Sequence, residues 1–409
     1  MSDMNSSAPL PSNPDVRVIG GGLAGLTAAS LVARAGPSVV VHEKRGVIGG
    51  DARSVKREGF IFNQGAHALY RGGHAERVLT NLGIRLGGGR PPAKGKLIFD
   101  GRAEIAPAGP ISLLRTRALK ARDKLEVAKL LALLPRLSAA QFASTTVDEW
   151  IASSVSGDRA AQMLHALVRL GTYANQPDQL SADVAIEQLQ SALGPGVLYL
   201  NGGWQTLVDQ LAAMPSVHIV TGQEVSALPD APVVIIAAGG PKLAEALLGK
   251  QFEVGPPAVT SGLDLGLSQR PDEDLVIGGD VPFYFSNHSS VAALAPEGQH
   301  HAAVAQYLAE GDDPDAAAMR AFASHAGVRD DDVVVSRRLH KMTTVSALPV
   351  AHLGGLPGRP VVTDTGHPNV FVAGDWVGPV GHLADAAMAS AETAANAALA
   401  LLPTRSVVA

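Results

Sequence analysis

The 409-residue chain contains no cysteine. Disulfides, thiolate metal sites, a redox CxxC pair and any cysteinyl link to a cofactor are excluded. Aromatic residues make up only 4% of the chain, so few rings are available to wall a binding site. No apolar run reaches the length of a membrane span. The net charge of −5 carries no basic excess, and nucleic acid is not an expected partner. The opening "MSDMNSSAPLPSNPD" has neither the basic start nor the apolar core of a secretory signal. Its polar, proline-containing composition predicts a disordered tail over 1–15. A cytoplasmic location is the expectation.

What is present points to a large globular protein. Apolar residues form 46% of the chain, and the length exceeds one compact core, which predicts two interwoven domains. The stretch "VRVIGGGLAGLTAASLVARAGPSVVVHEK", residues 16–44, carries the strongest local signal. Val16, Val18 and Ile19 read as a buried strand that stops at glycines. Gly20, Gly22 and Gly25 fit G-x-G-x-x-G. Gly20 allows the sharp turn, Gly22 lets a pyrophosphate approach the backbone, and Gly25 lets the helix lie close on the sheet. Leu23, Leu26, Ala29 and Val32 then follow helical spacing. The N–H groups at that helix start favour an anion. "SVVVHEK" is a second strand, and Glu43 ends it where an acid accepts hydrogen bonds from ribose hydroxyls. A carboxylate there disfavours the 2′-phosphate of NADP. NAD and FAD both remain open on this stretch.

Further along, Gly49-Gly50 and Arg53 precede "GFIFNQGAHAL", a short strand ending at Gly65. "LGGGRPPAKGK" reads as a loop. "DKLEVAKLLALLPRL" and "TVDEWIASSVSGDRAAQMLHALVRL" have helical periodicity, broken at Pro135 and Gly157. "VHIVTGQEVSAL" and "APVVIIAAGG" predict two strands returning to the first sheet. Residues 255–310 read as sheet, and "NVFVAGDWVGPVGHLADAAMASAETAANAALALL" as strand, loop and long helix. The expected division is a discontinuous nucleotide domain (16–77, 200–254, 340–402) and a discontinuous substrate domain (78–199, 255–339). Only one G-x-G-x-x-G is present, so a second dinucleotide site is not expected.

The ordered set Gly20-Gly22-Gly25, Glu43, Gly49-Gly50 with Arg53, and Gly374-Asp375 resembles the FAD-dependent amine oxidase and phytoene desaturase superfamily over nearly the whole chain. The resemblance implies an α/β fold: a Rossmann-like FAD-binding domain of the glutathione reductase type, interleaved with a substrate domain of mixed sheet and helices. It implies FAD as cofactor. Gly22, Leu23, Ala24 and Arg53 would face its phosphates, with Glu43 and Lys44 at the ribose and the Val225 backbone at the adenine. Gly65 and Ala66 would approach the flavin. Asp375 would accept hydrogen bonds from the ribityl or phosphate region. Leu383 and Ala384 would start a helix whose positive end stabilises negative charge on the reduced ring. Asp51 is a departure, since many members carry arginine there.

The implied chemistry is hydride removal from a C–H bond to flavin N5, a reaction that needs few side chains because the cofactor carries the electrons. His67 and His382 are the candidate catalytic residues, and packing is the alternative for each. Tyr173, Trp204, Tyr284 and Trp376 are candidate pocket walls. "MTTVSALPVAHLGG", upstream of "GDW", contains no aromatic residue to frame an amine. A desaturase-like reaction on an isoprenoid or other apolar molecule therefore leads, with an external acceptor such as oxygen or a quinone. Two alternatives stand: an amine oxidase acting on a C–N bond, and a non-enzymatic relative of the GDP-dissociation inhibitor type. The leucines and basic residues of "ISLLRTRALKARDKLEVAKLLALLPRL" make peripheral membrane contact a candidate, against the alternative of a helix with a solvated basic face.

Overall fold

The computed structural model describes residues 11–403. Residues 1–10 of the expected tail lie outside them. Asp15, its last residue, is tied down: its N–H donates to Ser38 Oγ at 3.0 Å, and the Ser38 N–H donates to Asp15 Oδ2 at 2.7 Å.

Short Val/Ile runs build the first sheet. Five parallel strands lie in the order Val217–Val220, Val39–His42, Val16–Ile19, Val233–Ile236 and Val370–Val372. Val16 pairs with both Val39 and Val233, which fixes the register at the sheet centre. Such strands carry apolar residues on both faces because both faces of a parallel sheet are covered. The helices Leu23–Arg34 and Ala384–Leu401 pack against each other and against the sheet. Their facing residues are small: Ala28, Ala29, Ala391, Ala394 and Ala395 are fully buried. Small side chains allow the short interaxial distance that this crossing requires.

The second sheet has seven strands, in the order Val333–Val345, Ala258–Leu267, His300–Leu308, Phe283–Asn287, Leu275–Gly278, Lys96–Phe99 and Arg102–Ile105. All neighbours are antiparallel except Leu275–Gly278 with Lys96–Phe99. The helix Ala316–Ser324 covers part of one face through Met319 and Phe322. A helical layer over 110–193 packs around Trp150, Ile151 and Met163. It breaks as expected near Pro135 and Gly157, giving Ala121–Leu133, Val147–Ser154 and Asp158–Thr172. A capping box starts the second of these: Thr146 Oγ1 accepts from Glu149 N, and a Glu149 carboxylate oxygen accepts from Thr146 N.

One element was not anticipated and one reading changes. In the 78–199 segment, Lys96–Phe99 and Arg102–Ile105 form a hairpin closed by Asp100-Gly101. Both turn residues have left-handed φ, 50° and 72°, the conformation for which Asp-Gly is selected in two-residue turns. Within "LGGGRPPAKGK", Gly88–Gly89 is a short strand rather than loop, pairing with Val197–Leu200.

Candidate functional site

The strongest local signal in the sequence forms the floor of a cavity of about 460 Å³. Its three glycines are distinguished by what a side chain would meet. At Gly20 (φ +110°) a Cβ would lie 2.4 Å from the Ala237 carbonyl oxygen, so the turn closes directly on the neighbouring strand. At Gly25 a Cβ would lie 1.9 Å from the Gly20 carbonyl oxygen. At Gly22 nothing lies within 4 Å, and this residue lines the cavity. The helix that follows has no side-chain cap and no acid in its first turn. Its leading N–H groups therefore offer an anion site with a partial positive charge.

Glu43 stands at the end of the second strand and lines the same cavity. Its two oxygens accept from Gly21 N and Arg45 N, each at 2.8 Å. A carboxylate has about four lone-pair sites, so acceptor capacity remains for ribose hydroxyls. Lys44 pairs with Glu224 at 2.6 Å at the exposed mouth, beside Val225. The glycine pair is drawn to the first turn: Gly49 N donates to Gly21 O at 2.7 Å, and Gly50 and Asp51 line the wall. Arg53 lies outside the lining, yet its Nε is buried with no partner and it makes no ion pair among the described residues. Gly65 and Ala66 complete this side.

The opposite wall comes from the C-terminal motif. Gly374, Asp375, Leu383, Ala384 and Ala387 all line it. The Asp375 carboxylate accepts from Ser346 N at 2.8 Å. Burial raises its pKa, the Ser346 hydrogen bonds oppose the shift, and the nearby Asp51 carboxylate adds to it. Asp51 is itself raised by burial, against the field of Arg45. Leu383, with φ 53° and ψ −126°, precedes the final helix without a side-chain cap. A non-glycine residue in that region is strained, and such strain concentrates at functional sites.

Several lining residues were not anticipated. Ala237, Ala238, Gly239 and Gly240 follow the fourth strand, and Thr343, Thr344 and Ser346 end the long strand of the second sheet. Arg359 was also missed. It is only 6% exposed, and it donates to the Asp375 carbonyl at 2.9 Å and the Gly381 carbonyl at 2.8 Å. Burial lowers its pKa to about 10, which still leaves it charged at neutral pH.

Neither candidate catalytic histidine lines the cavity. The His67 carbonyl accepts from Trp204 Nε1 at 3.1 Å, while its ring turns into a buried cluster with His288, His301 and Asp264. Burial pushes its pKa down to about 4, against the raising effect of Asp264. His382 is buried, and its Nε2–H donates to the Thr172 carbonyl at 2.8 Å; burial lowers it to about 4 as well. Both rings are neutral at physiological pH. Of the candidate pocket walls, Trp204 alone lines the cavity. Trp376 packs edge-on against Phe252 with ring centroids 5.0 Å apart. Tyr173 packs on Tyr307, and the Tyr284 hydroxyl pairs with that of Tyr199 at 2.7 Å. These aromatics lie in buried apolar clusters, which sequence alone cannot tell from a pocket wall.

These residues fit FAD. An open glycine stands at an uncapped helix start, an orphaned guanidinium nitrogen lies near the glycine pair, and an acid with free acceptor sites ends the second strand. Known proteins agree with the geometry. Residues 23–237, more than half of the chain, match the model of a family described as flavin containing amine oxidoreductase. A mitochondrial protoporphyrinogen oxidase of Nicotiana tabacum is 32% identical over 115 residues, 27% of this chain and 23% of the tobacco protein. A phytoene desaturase of Cercospora nicotianae is 38% identical over 73 residues, 18% of this chain and 12% of the fungal one. The aligned stretch thus spans less than a quarter of either relative. Cyclohexylamine oxidase from Brevibacterium oxydans IH-35A superposes with a TM-score of 0.72 at 16% identity, covering 95% of this chain and 99% of that one. A likeness at that identity speaks for the fold.

Proposed function

The chain belongs to the flavin containing amine oxidoreductase family, and from that premise we propose an FAD-dependent dehydrogenase or oxidase that removes hydride from a C–H bond of an apolar organic substrate. One observation carries the reading: five separated pieces of sequence, around Gly22, Glu43, Gly50, Val225 and Asp375, line a single cavity. Bound FAD supplies the hydride acceptor, flavin N5. The protein does the holding. The start of the helix Leu23–Arg34 and Arg53 take the diphosphate, and Glu43 takes the adenosine ribose. The Val225 backbone lies at the adenine. Asp375 orients the ribityl end, and the uncapped start of the final helix directs its N–H groups at the ring.

The choice of an apolar substrate rests on the stretch "MTTVSALPVAHLGG", which supplies no aromatic ring, and a cation without rings around it is poorly framed. Thr343, Thr344 and Ser346 take up the side supplied by the second sheet. The electron acceptor is external, oxygen or a quinone. We assign the protein to the cytoplasm, in peripheral contact with a lipid surface from which such a substrate is drawn.

The purified protein is expected to show a flavin absorption band. Anaerobic addition of a polyene precursor should bleach it, and a primary amine should not. Bleaching by the amine alone would transfer the assignment to C–N oxidation. A colourless protein that FAD cannot reconstitute would overturn the enzymatic reading.

A further inference from the structure

The helical layer carries a second concavity of about 1000 Å³, none of whose residues lines the flavin cavity. It lies between Pro110–Arg115, Ala121–Leu133 and the end of Ala182–Leu193. Leu113, Leu114, Leu125, Ala128, Leu131 and Leu193 contribute to its lining. The helix Ala121–Leu133 turns Val127 and Leu130 into the core. Its outer side is apolar as well: Ala121, Leu125, Ala128 and Ala132 are all exposed and recur at helical spacing. Ile111, Leu114 and Leu125 are 73%, 74% and 72% exposed. Leu114 and Leu125 line the apolar groove and Ile111 lies on the same short helix as Leu114; large side chains this exposed at one site mark an interaction surface rather than ordinary scatter.

Charge indicates what covers it. Residues 110–136 hold seven basic residues against two acidic ones, in a chain of net charge −5. Both acids are occupied within the layer. Asp123 is buried and accepts from Lys120 N, and Glu126 accepts from Ser156 N and Gly157 N. Arg115, Arg117, Lys120, Lys129 and Arg136 are exposed and make no ion pair among the described residues. An apolar centre rimmed by free cations matches a bilayer with anionic headgroups: leucines enter the acyl boundary while guanidinium and ammonium groups meet phosphates.

We infer that this groove is a docking surface for an anionic phospholipid bilayer. It gives a location to the peripheral contact assigned above, and its failure would leave the flavin chemistry standing. The test is flotation of the full-length holoprotein with phosphatidylcholine vesicles, with and without phosphatidylglycerol. Binding should require phosphatidylglycerol and weaken with salt. Two triple variants separate the contributions, I111S/L114S/L125S and R115S/R117S/K120S. Each should keep the flavin spectrum and thermal midpoint of the parent. The charge variant should lose affinity by roughly fivefold per residue removed, on the order of a hundredfold in all. The leucine variant should lose binding even at low salt. A parent that ignores phosphatidylglycerol vesicles, or variants that bind as the parent does, would overturn the inference. So would a parent dimer, seen by sedimentation, that the leucine variant converts to monomer while the parent shows no vesicle affinity; the covering partner would then be a second copy.

Discussion

Gly22 and Gly25 belong to one turn under opposite constraints, and substitutions there separate binding from folding. A side chain at Gly22 meets open space, whereas one at Gly25 meets the Gly20 carbonyl at 1.9 Å. Gly22→Val should keep the apoprotein's thermal midpoint and lose FAD affinity on the order of a hundredfold, because its branched side chain fills the approach of the diphosphate. Gly25→Val should lose stability itself, by at least about 1–3 kcal/mol. Fluorescence titration and thermal denaturation read the two effects. Parental FAD affinity in Gly22→Val would exclude the diphosphate from this turn. Asp51 presents the reverse situation, an acid in a wall built to receive an anion. Its raised pKa, together with the neighbouring Asp375 and Arg45, makes the local charge depend on pH. The ionised carboxylate repels the diphosphate, so FAD affinity should fall as pH rises through that pKa. Asp51→Asn should flatten this dependence and tighten binding roughly fivefold at neutral pH, about 1 kcal/mol for one like charge removed near solvent. Unchanged affinity at every pH would refute the repulsion.

The segment 374–383 takes its shape from a residue outside it. Arg359 spans the Asp375 and Gly381 carbonyls from a buried position. Lysine keeps the charge but not the two-pronged geometry. Arg359→Lys should therefore weaken FAD binding tenfold or more, since a lost hydrogen bond to a charged group is worth about 1.5–3 kcal/mol. Arg359→Met should be worse in both affinity and thermal midpoint. Equal affinity across the three proteins would show that the segment holds its shape unaided. Arg359 also illustrates what a sequence conceals. The turn at Gly20–Gly25, the acid at Glu43 and the strand-loop-helix at the end were legible because each follows from local pattern: a valine run, a glycine spacing, a 3.6-residue repeat. The Arg359 clamp was not, because it depends on two loops meeting in space. The same holds for Thr343 and Ser346, which reach the cavity from the second sheet. The Lys96–Ile105 hairpin was legible in principle, since "FDGR" carries an Asp-Gly turn. Its strands are only four residues each, and the helical runs around them dominated the pattern. His67 and His382 follow motifs whose glycines and helix start line the cavity, but backbone position does not determine which way a ring turns.

Acid should unfold the whole molecule earlier than its acidic composition suggests. His67 and His382 are neutral in the native core, with pKa values near 4 set by burial, and His288 is also lowered by burial, aided by its histidine neighbours. An unfolded histidine titrates near 6.5. Between these values the unfolded chain binds more protons than the folded one, so stability must fall as pH falls. The contribution is complete above pH 6.5 and lost progressively toward about pH 4, up to about 3 kcal/mol for each of His67 and His382. Asp375 and Asp385 act against this trend, because burial raises their pKa and protonation relieves it. Their effect runs from about pH 3.9, the ordinary aspartate value, up to their raised native pKa, so it offsets part of the histidine loss at the acidic end of the window. Urea unfolding of the apoprotein at a series of pH values should give a free energy that declines across this window. His382→Gln retains a donor for the Thr172 carbonyl while removing one titration, so its decline should be shallower by up to one proton over the same range. A His382→Gln variant whose decline is as steep as the parent's would mean that this ring is solvated in the folded protein.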